Sequence, residues 1–596
     1  MQGNIKLDGH EYRVLSYRTR DVTDFSPKAS TPGGAVSFSE LGLYQIQSQT
    51  DWRHGFGDTW YTDEAMYMHT NGNLDTRHPG IVMMFTKSTA SDTDDNVKEG
   101  FVNWNNALYA YGTAGLRKYS GGSWSSIYSA AAVNGVLPSG DYLFFLPDEN
   151  RIQKLDTSDV VTDTGNDSNS VDYKWINMHS GYVYAGKDGT NRVHRDSDST
   201  LAELEGTTID TNVIYIGTEG SAPTLGAVVY AGYLYFFKRD GLWVLGDDLI
   251  AKKSLDFTSE ESSDNFRSWI VYNGYLYFPI RDVVYQWNGA RLTDVTPPRL
   301  TDSFPYTTYG RFDNFISANR FLYCTARTNE TIWSEDLLCY DGVSWSKLCR
   351  LTENGSDTVT AIGYDTVNAR MWYHVNATAD VTYYIPFQSG SEYPYADFPT
   401  TGSHSLYLAR WSAGYRRVQK SMSSIIVEAS NLTSTRKLSI YYSLDGADFV
   451  KWDDITKDGI TELTYPGGST TKEFYYIILR IDFETGTAAQ SPILESISLR
   501  FIMRPEEIYG WNMSIPIAKD LEVGHHIDGR MPKETYDDIK EARNSKSPIE
   551  FIDIYGESYL VYITSITLDK YEMDENAGGS STVSEQIATL NLVEAK

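Results

Sequence analysis

Read for its alternation of apolar and polar positions, the chain is strand-like almost throughout. Short runs of Tyr, Val, Ile, Phe and Trp are broken by Gly, Asn, Asp and Ser, the residues that favour turns. One unit recurs: an apolar residue flanked by aromatics, set just after a Gly or Asn turn. Its copies centre on Leu108, Leu143, Val183, Leu234, Leu276, Leu322 and, most weakly, Met371, at steps of 35 to 51 residues. That spacing predicts four-stranded propeller blades.

A second turn lies at a fixed offset from the first. Tyr119, Trp287 and Leu245 each stand 11 residues after a central apolar position, whereas Tyr340 stands 18 after Leu322, as if one hairpin were longer by seven. Asn-Gly and Asp-Gly supply the positive φ of two-residue hairpins. The aromatic beside each turn is expected to pack between blades, whose apolar faces only neighbouring blades can bury. The reading is an all-β chain with a β-propeller of about seven blades over 98–415, six or eight being the alternatives.

Beyond it, Ser424 to Ser430, Lys437 to Ser443, Tyr475 to Ile481 and Ile497 to Ile502 alternate with period two or run fully apolar. This predicts an antiparallel β-sandwich over 416–504. Residues 505–596 read as a β-rich module with one helix, started by Pro532 and striped by Tyr536, Ile539 and Ala542, with Arg543 alongside. The strand-rich segment 1–97 is expected to dock with 505–596 as a mixed β base, because domain termini often lie near one another.

Composition narrows the class. The 596 residues hold 44 Tyr, 23 Phe and 14 Trp, with enough apolar residues overall to exclude wholesale disorder. Three cysteines, Cys324, Cys339 and Cys349, exclude a disulfide scaffold and a multi-cysteine zinc fold, and packed thiols are the expectation. The first residues carry neither a basic nor an apolar leader, so synthesis in a cytoplasm is expected. No apolar run reaches the roughly 18–20 residues of a membrane span. The net charge of −28 argues against wrapping nucleic acid, which needs clustered Lys and Arg; it is compatible with an acidic wall past which DNA moves.

Candidate chemistry is sparse. Trp52-Arg53-His54 and Asp75-Thr76-Arg77-His78 gather Arg, Asp and His, which suits either acid–base chemistry or a buried polar network pinning loops to the propeller; the network is favoured. His525 and His526 point to opposite faces of a strand and are read as surface or interface residues. The acidic clusters at 92–96 and 156–172 lack a full Ca²⁺-loop pattern and read as solvated loops, Ca²⁺ remaining an open alternative. No P-loop, Gly-x-Ser-x-Gly elbow or His-Glu-x-x-His occurs, and no catalytic, metal or cofactor residue is assigned.

Four stretches carry a resemblance. They are Ile5 to Val14 with Ala35 to Leu41; Gln49 to Gly57 with Asn73 to Gly80; Ser430 to Arg436 leading into Tyr441 to Gly446; and Asp538 to Ile549 followed by Gly556 to Ile563. The chain resembles tail structural proteins of tailed bacteriophages, of the tail tip, hub or nozzle type. The resemblance implies a non-enzymatic virion component in a homo-oligomeric, symmetric tail assembly, with other tail proteins as partners. Trp52, Arg53, His54, Asp75, Arg77, His78, Arg543 and Asn544 are its structural or interaction positions. It further implies host attachment through a surface receptor or glycan, and DNA passage without sequence-specific binding. A receptor- or glycan-binding module is the alternative, and a glycoside-cleaving propeller the third reading.

Overall fold

The computed structural model describes residues 3–21, 45–53, 55, 67–92, 98–148, 152–163, 172–196, 213–218, 220–297, 309–328, 333–352, 355–377, 380–387, 397–402, 404–412, 419–465, 473–504, 509–517, 521–523, 526–528, 530–545, 548–570 and 586–594. Seven four-stranded antiparallel sheets follow one another, the first over 98–128 and the seventh over 358–386. We number them as blades one to seven. Each blade runs in simple chain order except the seventh, whose outer strand is Thr89–Asp92, paired with Val381–Pro386. A strand from before the first blade thus completes the last one. The blades' seven central apolar residues, Leu108 to Met371, are all at most 1% exposed.

The turn chemistry explains the hairpins. Between the first and second strands of blades one, three, four, five and six, both turn residues have positive φ: Asn105 and Asn106, Ser180 and Gly181, Ala231 and Gly232, Asn273 and Gly274, Asn319 and Arg320. That twist matches the strands it joins. The fixed 11-residue offset is a cross-strand pairing: Leu108 faces Tyr119 and Leu276 faces Trp287. In blade six Leu322 faces Tyr340, so the pairing is kept and the hairpin is the longer one.

Those partners pack on the preceding blade. Tyr119 meets Trp372 of blade seven at 4.6 Å between ring centroids, and Trp287 meets Tyr235 of blade four at 5.2 Å. Around the ring, short polar side chains on the innermost strands bond the neighbouring blade's backbone. Asn177 Nδ2 donates to Ala227 O (2.9 Å), Asn314 Nδ2 to Val359 O (3.1 Å), and Thr360 Oγ1 to Lys98 O (2.7 Å). The last bond joins blade seven to blade one.

Two larger sheets follow. One orders Val450–Ile455, Arg436–Leu444, Ile477–Thr485, His404–Leu408 and Tyr67–Asn71; the other orders Gly459–Thr464, Gln419–Ser430, Ile493–Arg504, Val82–Met84 and Leu74–Asp75, with Gln45–Gln49 also pairing Ile493–Arg504. Leu438, Ile440 and Ile481 of the first share a buried cluster with Ile425, Val427 and Leu499 of the second. That cluster continues through Trp52 into Leu338, Tyr340 and Trp345 of blade six. A separate seven-stranded sheet orders His10–Val14, Gly3–Leu7, Ile549–Ile552, Ser558–Lys570, Gln586–Glu594, Tyr509–Ile517 and Ser16–Asp21. The helix Pro532–Asn544 buries Ile539 and Ala542 against it, and Glu534 accepts the Met531 N–H at its start (2.9 Å).

Two boundaries differ from the sequence expectation. Segment 1–97 does not join the C-terminal module as one piece. Only 3–21 pairs there, whereas the strands from Gln45 to Met84 enter the two larger sheets and Thr89–Asp92 closes blade seven. The blades end at Pro386 rather than 415, since His404–Leu408 pairs Ile477–Thr485. The reason is edge pairing. A strand is placed by whichever sheet edge satisfies its backbone groups, and local periodicity does not name that edge.

Candidate functional site

The sequence-singled residues around 52 and 75 do converge, at the outer side of blade six. Asp75 is fully buried and accepts a fork from Arg77, Nε to Oδ1 at 2.9 Å and Nη2 to Oδ2 at 2.6 Å. Arg77 also donates through Nη1 to the Tyr323 hydroxyl (2.9 Å), and its guanidinium lies 4.7 Å from the Phe387 ring centroid and 5.4 Å from that of Phe85. His78 Nε2 stands 3.4 Å from Asp75 Oδ2.

Burial alone would raise the Asp75 pKa. The charge and hydrogen bonds of Arg77, then those of His78, overcome it and hold the carboxyl well below the usual range. A carboxylate held ionised in this way has no proton to give. The arrangement suits a fixed polar knot rather than a proton shuttle. The knot ties residues 75–78 to blade six through Tyr323 and to the end of blade seven through Phe387.

Trp52 is buried, and its Nε1 donates to Glu495 O of the larger sheets (3.3 Å). Arg53 is exposed and forks onto Asp51, Nε to Oδ1 at 3.0 Å and Nη2 to Oδ2 at 2.8 Å. Its carbonyl accepts the Ser344 hydroxyl from a blade-six turn. His54 lies outside the described residues. Arg543 and Asn544 are exposed in the last turn of the C-terminal helix and take no part in this convergence.

Between these segments and blade six opens a cleft of about 310 Å³ lined by Arg53, Thr76, Arg77, Arg320, Asp341 and Ser346, among others. Sequence reasoning missed Arg320, Asp341 and Ser346. One signal was present: the sixth Asn-x turn carries Arg320 where blades three, four and five carry glycine. Asp341 is spent on its own turn, Oδ1 accepting the N–H groups of Val343 (2.8 Å) and Ser344 (2.7 Å).

The three cysteines are buried in blade six, and burial first of all pushes each thiol up from its ordinary value. Asp156, from the second acidic cluster, accepts the N–H groups of Ser158 and Val160 and so shapes a turn; residues 93–96 and 164–171 of the two clusters lie outside the described residues. His525 also lies outside them, and His526 pairs with Val523 in a short hairpin. Among the described residues, no group of three or more His, Cys, Asp or Glu is placed to hold a metal, and no helix is long and apolar enough to cross a membrane.

No protein-family model matches the chain, and no curated protein matches it. Solved structures similar to part of it are β-propellers or proteins aligned over a similar span. A streptogramin B lyase is 10% identical, with 50% of this chain and 97% of that one covered, at a TM-score of 0.35. The WD40 β-propeller domain of Doa1 is 12% identical, with 51% and 99% covered, at 0.34. YCF48 bound to D1 peptide is 11% identical, with 51% and 97% covered, at 0.37. At these scores the likenesses carry no argument about chemistry, and the propeller architecture rests on the order of the seven blades.

Proposed function

We propose that the chain is a non-enzymatic structural component of a bacteriophage tail, placed at its distal end as part of a tip, hub or nozzle. In this reading the two larger sheets form a β-sandwich, and the terminal seven-stranded sheet is the base that joins copies of the chain and other tail proteins. The observation that carries it is the threading of the first 92 residues. Their strands pair in succession with the terminal sheet, the two larger sheets and blade seven, so one segment locks all three parts together. Contacts distributed in this way resist independent motion of modules, as a particle component under mechanical load requires. The resemblance of the four sequence stretches supplies the tail assignment. The −28 charge is consistent with a wall that repels passing DNA.

The test is direct. Peptides of this chain are expected in purified virions of the phage that encodes it, and the recombinant protein is expected to form a ring-sized oligomer. Absence from virions together with an inert monomer overturns the reading.

A second reading, a receptor or glycan reader, is favoured by one observation. Tyr142, Tyr233 and Tyr275 stand at the same position of blades two, four and five, each more than a third exposed. Such tyrosines offer flat faces to sugar rings. Loss of binding to the host surface when they are changed to Ala would support it, and unchanged binding would remove it.

A further inference from the structure

We propose that the blade-six cleft is an oxyanion-binding site centred on Arg320, taking the carboxylate, sulfate or phosphate group of a small ligand. The proposal is independent of the tail assignment. Three observations carry it.

The first is the backbone. Arg320 holds φ at +71°, in the left-handed region, at the second position of the blade's first hairpin turn. Blades three, four and five place Gly181, Gly232 and Gly274 there, and blade one places Asn106. Glycine and Asn adopt that conformation readily, whereas a long side chain is disfavoured in it. A strained residue at a cleft rim is a reason to look for a role. The turn itself is held from outside, since the Tyr272 hydroxyl donates to Arg320 O at 2.7 Å.

The second is the state of the guanidinium. Among the described residues Arg320 forms no ion pair and no side-chain hydrogen bond, and it is exposed. Arg53 and Arg77, by contrast, are each forked onto an aspartate. Arg320 therefore brings positive charge to the cleft that Asp51 and Asp75 do not neutralise.

The third is the donor balance of the lining. Arg53, Arg77 and Arg320 line it with one carboxylate, Asp341, whose Oδ1 is occupied by its own turn. Arg77 is bonded to Asp75 and Tyr323, the Ser344 hydroxyl to Arg53 O and the Thr76 hydroxyl to Ser346 Oγ, which leaves Arg320, among the described residues, as the uncommitted cation. A wall with more cations than carboxylates and one uncommitted guanidinium is matched by a ligand group made of acceptors, and a planar guanidinium fork fits oxyanions in particular. The volume of about 310 Å³ is at the small end for ligand pockets, which fits a single acidic unit rather than a long chain.

The experiment is isothermal titration of the full chain with sodium sulfate, sodium phosphate, glucuronate and glucose, with NaCl held at matched ionic strength. At least one oxyanion is expected to bind and glucose is not. Binding of sulfate or phosphate alone marks a free-ion site, and tighter binding of glucuronate marks a sugar-borne carboxylate. Arg320→Gly and Arg320→Asn suit the turn, so both variants are expected to fold and to weaken the anion by about tenfold or more. Arg320→Lys restores only part, because an ammonium lacks the fork. No oxyanion binding above the chloride control, or equal binding by wild type and Arg320→Gly, overturns the proposal.

Discussion

Arg77 and Asp75 form a two-point fork, 2.9 and 2.6 Å, with the carboxylate fully buried and the guanidinium stacked among the phenylalanine rings of Phe85, Phe321 and Phe387. The pair links a segment far upstream to two blades that the chain builds much later. It is a tertiary fastener, and its geometry depends on both hydrogen bonds at once.

Removing one partner therefore leaves a buried charge without its complement. Arg77→Ala is expected to destabilise the protein by about 3–5 kcal/mol, the usual range for breaking a buried pair. Arg77→Lys should recover only part of it, since an ammonium lacks both the fork and the flat face. Urea unfolding of the three proteins checks the order, and wild-type stability in Arg77→Ala would show that the knot is dispensable.

Blade six holds a second buried pair, Lys347 Nζ to Asp336 Oδ2 at 2.8 Å, both side chains fully enclosed. Asp336 also accepts the Tyr309 hydroxyl (3.1 Å). Lys347→Met alone is expected to cost several kcal/mol, on the order of 3–5. Adding Asp336→Leu should return part of that loss, because no enclosed charge is left unpaired; Arg350, whose Nε also reaches Asp336 Oδ1 (3.4 Å), is partly exposed and stays hydrated. A double-mutant cycle by thermal unfolding reads the coupling, and strict additivity would contradict it.

Ring closure depends on close backbone approach. A Cβ on Gly363 of blade seven would lie 2.4 Å from Phe101 Cβ of blade one. That atom is anchored to backbone and cannot swing aside. Gly363→Ala is expected to destabilise the closure by about 1–3 kcal/mol. Hydrogen exchange should report it first in Lys98–Trp104 and Thr358–Asp365, and a uniform change across all blades would count against a local effect.

His374 gives a pH dependence. It is buried in blade seven with Nδ1 3.0 Å from Thr382 Oγ1, and burial, then the nearby Lys98 charge, push its pKa down to about 3. A depressed histidine is neutral when folded and protonates more readily when unfolded, at about 6.5. Its contribution is thus fully present above pH 6.5 and is lost progressively as pH falls from 6.5 to 3. His374→Gln, which keeps a partner for Thr382, should flatten the stability-against-pH curve in that window relative to wild type. Parallel curves for the two proteins would sink the assignment.

Much of the blade architecture was legible because it is local. Leu108 with Tyr119, Leu276 with Trp287 and Leu322 with Tyr340 are cross-strand partners within hairpins, so their spacing along the chain records their pairing. The lengthened hairpin of blade six was visible for the same reason. In the candidate site, the motifs around Trp52 and Asp75 stood out by their Arg, Asp and His content. Their wall did not: Asp341 and Ser346 are ordinary residues of a turn and a strand, and only folding brings them opposite Arg77.

The sequence by itself determined that the chain is built of β-strands, where most of the hairpins lie and roughly how many blades they make. These follow from short apolar-aromatic runs, buried almost without a break in the second strand of each blade, and from turn residues that accept positive φ, both properties of a few consecutive positions. Only the tertiary structure decided that Thr89–Asp92 closes blade seven, that Gln45–Gln49 and Tyr67–Asn71 belong to different sheets, and that Arg53, Arg77 and Arg320 share one cleft. An open strand edge accepts any segment with free backbone donors and a matching apolar face. The choice among edges is made by the packing of the whole chain, through contacts between residues hundreds of positions apart.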